Sequence, residues 1–214
     1  MIKVWGRRTS SNVQAVLWCL AELDLPYERV DAGFNFGLVD QADYLALNPN
    51  GLVPTLIDGD DAPLWESGAI VRYLATRYGT DPFWPADPAA RAQVDKWAEW
   101  GKVTFAAAFT GPIFWQVVRT APSKQDPAAI DRAIANVSKV LQIADAQLEG
   151  RDFLLGDDLT LADIQFGHCL YRYFTIDIDR PDLPDLAAYY QRLSNRPAFR
   201  DNVMVSYEIL RVTD

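Results

Sequence analysis

The stretch NPNGLVPTLIDGDDAPLWESGAIVRYL, residues 48–74, decides the fold of this chain. It contains two short apolar runs, residues 55–57 and 62–65, which flank the turn-forming segment DGDD and so predict a β-hairpin. Apolar and aromatic residues then recur at helical spacing up to Tyr78, which predicts a helix directly after the hairpin. The stretch therefore predicts the ββα half of a small sheet domain.

The residues before this stretch supply the other half of the sheet. Residues 2–6 predict a strand that ends at a glycine, and residues 27–32 predict a second strand. Between them lies a helical stripe made of Val13, Val16, Leu17 and Leu20. A strand–helix–strand unit builds a parallel sheet. With a short helical piece at residues 43–47, the predicted order is βαβ followed by ββα.

Beyond the sheet domain the pattern changes to helices alone. Residues 80–88 contain three prolines and no periodicity, which predicts a linker. Helical patterns follow at residues 89–109, 130–148 and 184–194, with a further start at Thr160 and a short last helix after Arg196. We expect Gly111-Pro112 to kink or break the first of these helices. The sequence thus predicts an α/β domain at residues 1–79, a linker at 80–88 and an all-α domain at 89–214.

Composition excludes several classes of protein. The 214 residues include 29 acidic and 20 basic side chains, and the net charge of −9 argues against a general nucleic-acid binder. No segment has the roughly 20 apolar residues that cross a bilayer, and the first residues lack a secretory signal. The chain has two cysteines, one histidine and no CxxC pair, so we expect no metal site and no thiol–disulfide centre. The predicted location is the cytoplasm, without a membrane or nucleic-acid partner.

Three motifs lie on these predicted elements: NPNGLVP at residues 48–54, WESGAIVRYL at residues 65–74, and TLAD at residues 160–163. Together with the order of elements they resemble the cytosolic glutathione S-transferases, in particular bacterial serine-type members of the theta and nu kind. The resemblance covers essentially the whole chain and implies a thioredoxin-like first domain followed by a helical domain. The last motif is also a capping box for the helix that follows.

In this family a side-chain donor at the start of the first helix stabilises the thiolate of glutathione. Residues 9–12, TSSN, occupy that place. Aligning residues 14–16, QAV, with the family's pattern puts Ser10 on the activating hydroxyl, and Ser11 is the second choice. Asn12 could donate to the ligand. The alternative is that one of these hydroxyls only caps the helix.

The resemblance also assigns the glutathione-binding residues. Glu66 and Ser67 would hold the γ-glutamyl group at a helix N-terminus, where free N–H groups favour a carboxylate; plain N-capping by Ser67 is the alternative. Val53 and Pro54 would hold the cysteinyl part through the backbone before a cis proline.

Leu52 departs from the family, because many members carry lysine or glutamine there to hold the glycine carboxylate of glutathione. We therefore expect weak glutathione binding unless another residue compensates. The candidate substitutes are Arg7, Arg8, Asn35 and Gln41. An ordinary solvated pair is the alternative interpretation of Arg7 and Arg8.

We expect aromatic side chains of the helical domain to form an apolar electrophile site facing Ser10. The candidates are Phe109, Trp115 and Tyr171. The only histidine, His168, lies in an apolar helical pattern and is predicted to be a hydrogen-bonded core residue.

These features predict a homodimeric glutathione transferase that conjugates glutathione, its co-substrate, to an apolar electrophile in detoxification. The dimer contact would pair Arg72 and Arg77 with Asp95 and Glu99 of the symmetry mate. Two alternatives remain open: a glutathione-dependent isomerase or peroxidase on the same fold, and a non-catalytic binding or regulatory protein.

Overall fold

The structure of the chain is a computed structural model that describes all 214 residues. The first part of the chain contains four strands and three helices. They are β1 Ile2–Trp5, α1 Ser11–Glu22, β2 Tyr27–Val30, α2 Ala42–Leu47, β3 Thr55–Asp58, β4 Leu64–Trp65 and α3 Ser67–Tyr78. The predicted order, βαβ followed by ββα, is confirmed.

The four strands form one mixed sheet in the order β2-β1-β3-β4. β1 pairs with β2 in parallel and with β3 antiparallel, and β3 pairs with β4 antiparallel. Ile2 and Val4 are buried, as expected for the inner face of a central strand. Gly6, directly after β1, has to be glycine because a Cβ there would lie 2.4 Å from the Val13 side chain. This close approach brings the start of α1 to the end of β1.

The rest of the chain is helical. Its helices are α4 Pro88–Trp100, α5 Ala107–Phe109, α6 Gln116–Val118, α7 Pro127–Leu148, α8 Leu161–Gly167, α9 Leu170–Thr175, α10 Pro184–Ser194 and α11 Pro197–Asn202. The predicted capping box at Thr160 and Asp163 is present at the start of α8. The sequence did not predict α9 as a separate helix.

Of the kink or break expected at Gly111-Pro112, the break is wrong. Helical backbone continues from α4 to the end of α6, through two π-helical turns at Gly101–Ala106 and Thr110–Trp115. A π-helical turn bonds each N–H to the fifth preceding carbonyl instead of the fourth, so the missing N–H of Pro112 is accommodated without ending the helix.

One contiguous apolar core joins the sheet and the helices. The Trp18 ring on α1 meets the edge of Phe199 on α11, with ring centroids 4.9 Å apart. α4 approaches α8 closely because Gly101 has no Cβ, which would lie 2.9 Å from the Phe166 backbone. The division into domains at residues 80–88 stays a prediction. Both cysteines are free and buried in this core.

Candidate functional site

A cleft of about 500 Å³ lies between the start of α1, the loop before β3 and the π-helical turns that follow α4. The sheet side contributes Arg7, Thr9, Ser10, Ser11, Asn12, Leu52 and Val53 to its lining. The helical side contributes Lys102, Ala106, Ala107, Thr110, Phe114, Trp115, Arg119, His168, Arg172 and Leu210. A smaller adjoining pocket contains Asn12, Val53, Pro54, Glu66 and Ser67. The structure thus brings the catalytic and ligand-binding candidates of the sheet side together.

The hydroxyl of Ser10 is available at the N-terminus of α1. Ser10 is the N-cap residue, but its side chain makes no capping hydrogen bond. The residue is only 9% exposed and lines the cleft. Ser11 lines the cleft as well. The first turn of α1 contains no acidic residue, so the positive end of the helix dipole is not neutralised there.

The loop before β3 presents free backbone groups to the cleft. The Val53–Pro54 peptide bond is cis, as the resemblance implies. Neither the N–H nor the C=O of Val53 forms a hydrogen bond within the chain. The loop is held from behind, because the Tyr44 hydroxyl and the Asn48 amide donate to the Leu52 carbonyl at 2.6 and 2.8 Å. Val53 can therefore pair with an extended ligand as an added strand would.

Lys102, which the sequence did not predict as a site residue, links the start of α1 to the start of α3. Its ammonium donates to Asn12 Oδ1 and to Ser67 Oγ, both at 2.7 Å. The Ser67 hydroxyl also lies 3.3 Å from Asn12 Oδ1. Burial lowers the pKa of Lys102, because an ammonium loses hydration there. The only sequence signal was a lysine inside an otherwise apolar helical stretch.

Glu66, directly before Ser67, has an unusual backbone conformation. Its φ of +69° lies in a region that residues with a side chain rarely adopt. Glu66 is the N-cap of α3 and contributes no capping bond from its side chain. The start of α3 therefore keeps free N–H groups, with a carboxylate and the Lys102 ammonium nearby.

Three arginines, of which two escaped sequence analysis, also reach the cleft. Arg172 is buried, and its guanidinium donates to the Thr9 carbonyl at 2.7 Å. Burial lowers the pKa of Arg172 to about 10. Burial and the charge of Arg119 lower the pKa of Arg7. Arg172 and Arg119 lie on helices far along the chain from the first loop, so no local motif could group them with Arg7.

His168 is the hydrogen-bonded core histidine that the sequence predicts. It is 1% exposed, and its Nδ1 donates to the Gln165 carbonyl at 2.8 Å. Burial, followed by the charge of Lys102, lowers its pKa to about 3. The ring is therefore neutral at physiological pH.

Only one of the three aromatic candidates reaches the cleft. Trp115 lines it and is 48% exposed. Phe109 does not line it, because the ring is fully buried and packs against Phe105 and Phe114. Tyr171 packs against Tyr207 and does not line it either. The π-helical turns change which side chains face inward, so Ala106, Ala107 and Phe114 form the apolar wall instead.

Leu52 lies at the rim of the cleft, where it is 64% exposed. Among its proposed substitutes only Arg7 lines the cleft. Arg8 is exposed and donates to the Asp201 carbonyl, while Gln41 donates to Asp40. Asn35 is exposed.

No group of three or more His, Cys, Asp or Glu side chains is arranged to hold a metal ion. None of the helices has the length and apolar character needed to span a bilayer.

Two family models match the chain. The model described as the N-terminal domain of glutathione S-transferase matches residues 1–76, and that for its C-terminal domain matches residues 102–197.

Curated relatives extend over nearly the whole chain. Glutathione S-transferase GstB of Escherichia coli strain K12 is 43% identical over 206 residues, which cover 96% of this chain and 99% of the relative. Glutathione S-transferase 3 of Zea mays is 35% identical and covers 94% of this chain and 93% of its own.

A solved structure of a glutathione S-transferase also matches nearly the whole chain. The theta class glutathione S-transferase of Xanthomonas axonopodis pv. citri, with glutathione bound, superposes with a TM-score of 0.89 at 45% identity. The superposition covers 96% of this chain and 98% of that one.

Proposed function

Since the chain belongs to the glutathione S-transferase family and is a glutathione transferase with glutathione as its co-substrate, we propose that Ser10 activates the thiol. The thiolate then attacks an electrophile held against the apolar wall of the cleft. A sulfur–carbon bond forms, and the leaving group departs with the electron pair of the bond that breaks. The observation that carries the proposal is the uncommitted Ser10 hydroxyl at the N-terminus of α1.

Thiol activation needs a modest free energy. A free thiol has a pKa of about 8.5, and lowering it by about two units requires about 2.7 kcal/mol. A hydroxyl that donates to sulfur supplies part of this, and the helix dipole of α1 supplies more. Ser10 is free to donate because it does not cap its own helix. The buried Arg172 adds a positive charge behind Thr9.

The γ-glutamyl end of glutathione is a zwitterion, and the residues around Ser67 suit it. Its carboxylate would accept from the Ser67 hydroxyl, the first N–H groups of α3 and the Lys102 ammonium. Its ammonium would lie near Glu66, whose charge partly offsets the lowering of the Lys102 pKa by burial. Asn12 completes the polar wall by accepting from Lys102.

The rest of glutathione would lie along the loop before β3. The cysteinyl backbone would pair with the free N–H and C=O of Val53, which precedes the cis Pro54. The glycine carboxylate would meet Arg7, since Leu52 has no donor and the guanidinium of Arg7 lines the same cleft. Arg7 therefore takes the role that a lysine or glutamine at position 52 would have.

We propose that the active molecule is a homodimer, because the resemblance to the family implies one. The charged contact expected between two copies stays a prediction, but most of its charges have partners within the chain. Arg72 pairs with Asp95 and Glu99 of its own chain, and Arg77 pairs with Asp61. A dimer contact on this face would therefore be mainly apolar.

The test compares Ser10→Ala with Ser11→Ala, a matched hydroxyl loss one residue away. We expect Ser10→Ala to lower turnover of 1-chloro-2,4-dinitrobenzene about ten- to a thousandfold, at about 1.4 kcal/mol per tenfold. Thiolate absorbance of the bound glutathione, followed against pH, should show a higher thiol pKa in this variant. If Ser11→Ala has these effects instead, the activating hydroxyl is Ser11. If neither variant has them, activation by a serine is rejected.

A further inference from the structure

The cleft carries an unusual excess of positive charge. Four cations line it, Arg7, Lys102, Arg119 and Arg172, and no aspartate or glutamate does. None of the four forms an ion pair with a carboxylate anywhere in the chain. The molecule as a whole has a net charge of −9, so this concentration is local. Like charges in one cleft repel each other unless a ligand neutralises them.

Glutathione alone does not neutralise these charges; this step rests on the proposed function. The γ-glutamyl zwitterion would be matched by Lys102 and by Glu66 in the adjoining pocket. Two negative charges then remain on the ligand, the thiolate and the glycine carboxylate. Three arginines face them, which leaves one positive charge without a partner. The second substrate is the remaining source of an anion.

Arg119 is the arginine that glutathione leaves free. Its guanidinium lies over the rings of Phe34 and Trp115, at 5.8 and 5.4 Å from their centroids. It donates no side-chain hydrogen bond within the chain and has no carboxylate partner. Aromatic rings engage the face of a guanidinium and leave its N–H groups available to a planar anion. Arg119 is exposed at the rim of the cleft, and its N–H groups are available to a bound anion.

Arg172 faces the same space from the floor of the cleft. The residue is 5% exposed and stacks on Phe114, with the guanidinium carbon 4.5 Å from the ring centroid. Its one hydrogen bond goes to the carbonyl of Thr9, directly before Ser10. The other N–H groups have no protein acceptor. A buried arginine without a carboxylate is costly in the free protein, and a bound anion would relieve that cost.

We propose that the electrophile carries a carboxylate, which Arg119 holds while its reactive carbon lies beside Ser10 against Ala106 and Ala107. Arg172 assists Arg119 with N–H groups that it shares between this carboxylate and the glutathione thiolate. The electrophile site is thus built for an anionic substrate with a small apolar body. The sequence predicts an apolar electrophile, and this proposal limits the substrate class to electrophiles that also carry a carboxylate. For an aryl chloride, the glutathione sulfur–carbon bond forms, the carbon–chlorine bond breaks, and chloride leaves with the electron pair.

The binding test uses unreactive probes on the protein saturated with glutathione, so that the subsites for the ligand's own carboxylates are occupied. Calorimetry compares 3-nitrobenzoate with its neutral isostere 3-nitrobenzamide. We expect the acid to bind about tenfold more tightly, as a charge-assisted hydrogen bond to arginine allows. Arg119→Gln should remove this preference, and Arg172→Lys should reduce it. Arg132→Gln, the same charge change at an exposed position of α7 outside the cleft, should keep it.

Equal or weaker binding of the acid overturns the proposal, as does a preference that persists in Arg119→Gln. In either case the four cations serve glutathione alone. A kinetic arm compares 4-chloro-3-nitrobenzoate with 4-chloro-3-nitrobenzamide, and the ratio of their kcat/KM values should fall about tenfold in Arg119→Gln. If the acid preference in binding is present while no thioether forms from any electrophile, the proposed function fails and the anion site stands. If both probes react and the ratio does not change, conjugation stands and the anion site fails.

Discussion

At the residue scale, Lys102 is the side chain that connects stability with ligand binding. Its ammonium is partly buried against two neutral oxygens, those of Asn12 and Ser67, and forms no ion pair with a carboxylate in the free protein. A buried charge paired only with neutral groups destabilises the free fold. The carboxylate of a bound γ-glutamyl group would supply the missing partner.

We therefore expect Lys102→Met to affect stability and binding in opposite directions. The melting temperature of the free protein should rise, because the desolvated charge is removed and the methionine stem keeps the packing. Glutathione affinity should fall about 30-fold or more, since a truncated partner of a buried charge pair costs about 2 kcal/mol or more. Melting curves with and without glutathione measure both effects. Lys96→Met, an exposed lysine of α4, is the control. Lower stability together with unchanged affinity would contradict this role for Lys102.

Short sequence motifs locate some of the site residues but not others. Ser10, Asn12 and Ser67 follow strands and begin helices, so short motifs locate them. The positions of Lys102 and Arg119 depend on two π-helical turns that no motif predicts. Arg172 lies on α9, far along the chain, where no local motif links it to the cleft. The π-helical turns also explain why Phe109 is in the core and Trp115 is in the cleft.

At the scale of elements, the start of α8 depends on one buried carboxylate. Asp163 accepts from the backbone N–H groups of Thr160 and Leu154, from the Thr160 hydroxyl and from the Tyr189 hydroxyl, at 2.8–3.0 Å. The side chain is fully buried. It therefore joins α8 to the loop before it and to α10.

Replacing this carboxylate should destabilise the helical part strongly. We expect Asp163→Ala to lower the free energy of unfolding by about 3 kcal/mol or more, because four buried donors lose their acceptor. Asp158→Ala, in the exposed loop just before, should change it by less than about 0.5 kcal/mol. Urea unfolding of both variants measures the difference. A loss for Asp163→Ala no larger than for the control would show that the capping box does not stabilise the domain.

At the scale of the whole molecule, periodicity predicted which elements exist and in what order, because each buries one apolar face. It could not predict how the sheet and the helices meet. The contacts between them, such as Trp18 with Phe199 and Glu22 with Arg196, join residues more than 170 positions apart. Periodicity also gave no sign that Arg72 of α3 pairs with Asp95 and Glu99 of α4 within the same chain.

Because these charges are paired within the chain, we expect salt to have little effect on a dimer. An interface built on exposed charges weakens in salt, whereas one built on apolar contact does not. The predicted face has few unpaired charges left, and Val103, which follows Glu99 by one turn of the same long helix, is 57% exposed. An apolar side chain this exposed suits a surface that a second copy covers.

We therefore expect a dimer at micromolar concentration that persists in roughly 1 M NaCl, where the Debye length is about 3 Å. Val103→Asp should shift the molecule toward monomer, because two copies of the new charge would meet across a two-fold contact. Ile143→Asp, the same change at a similarly exposed site on α7, should leave the dimer intact. Light scattering coupled to size exclusion measures the mass of each variant. A monomer in wild type would reject the dimer, and a dimer that dissociates in salt would place its contact on charged residues elsewhere.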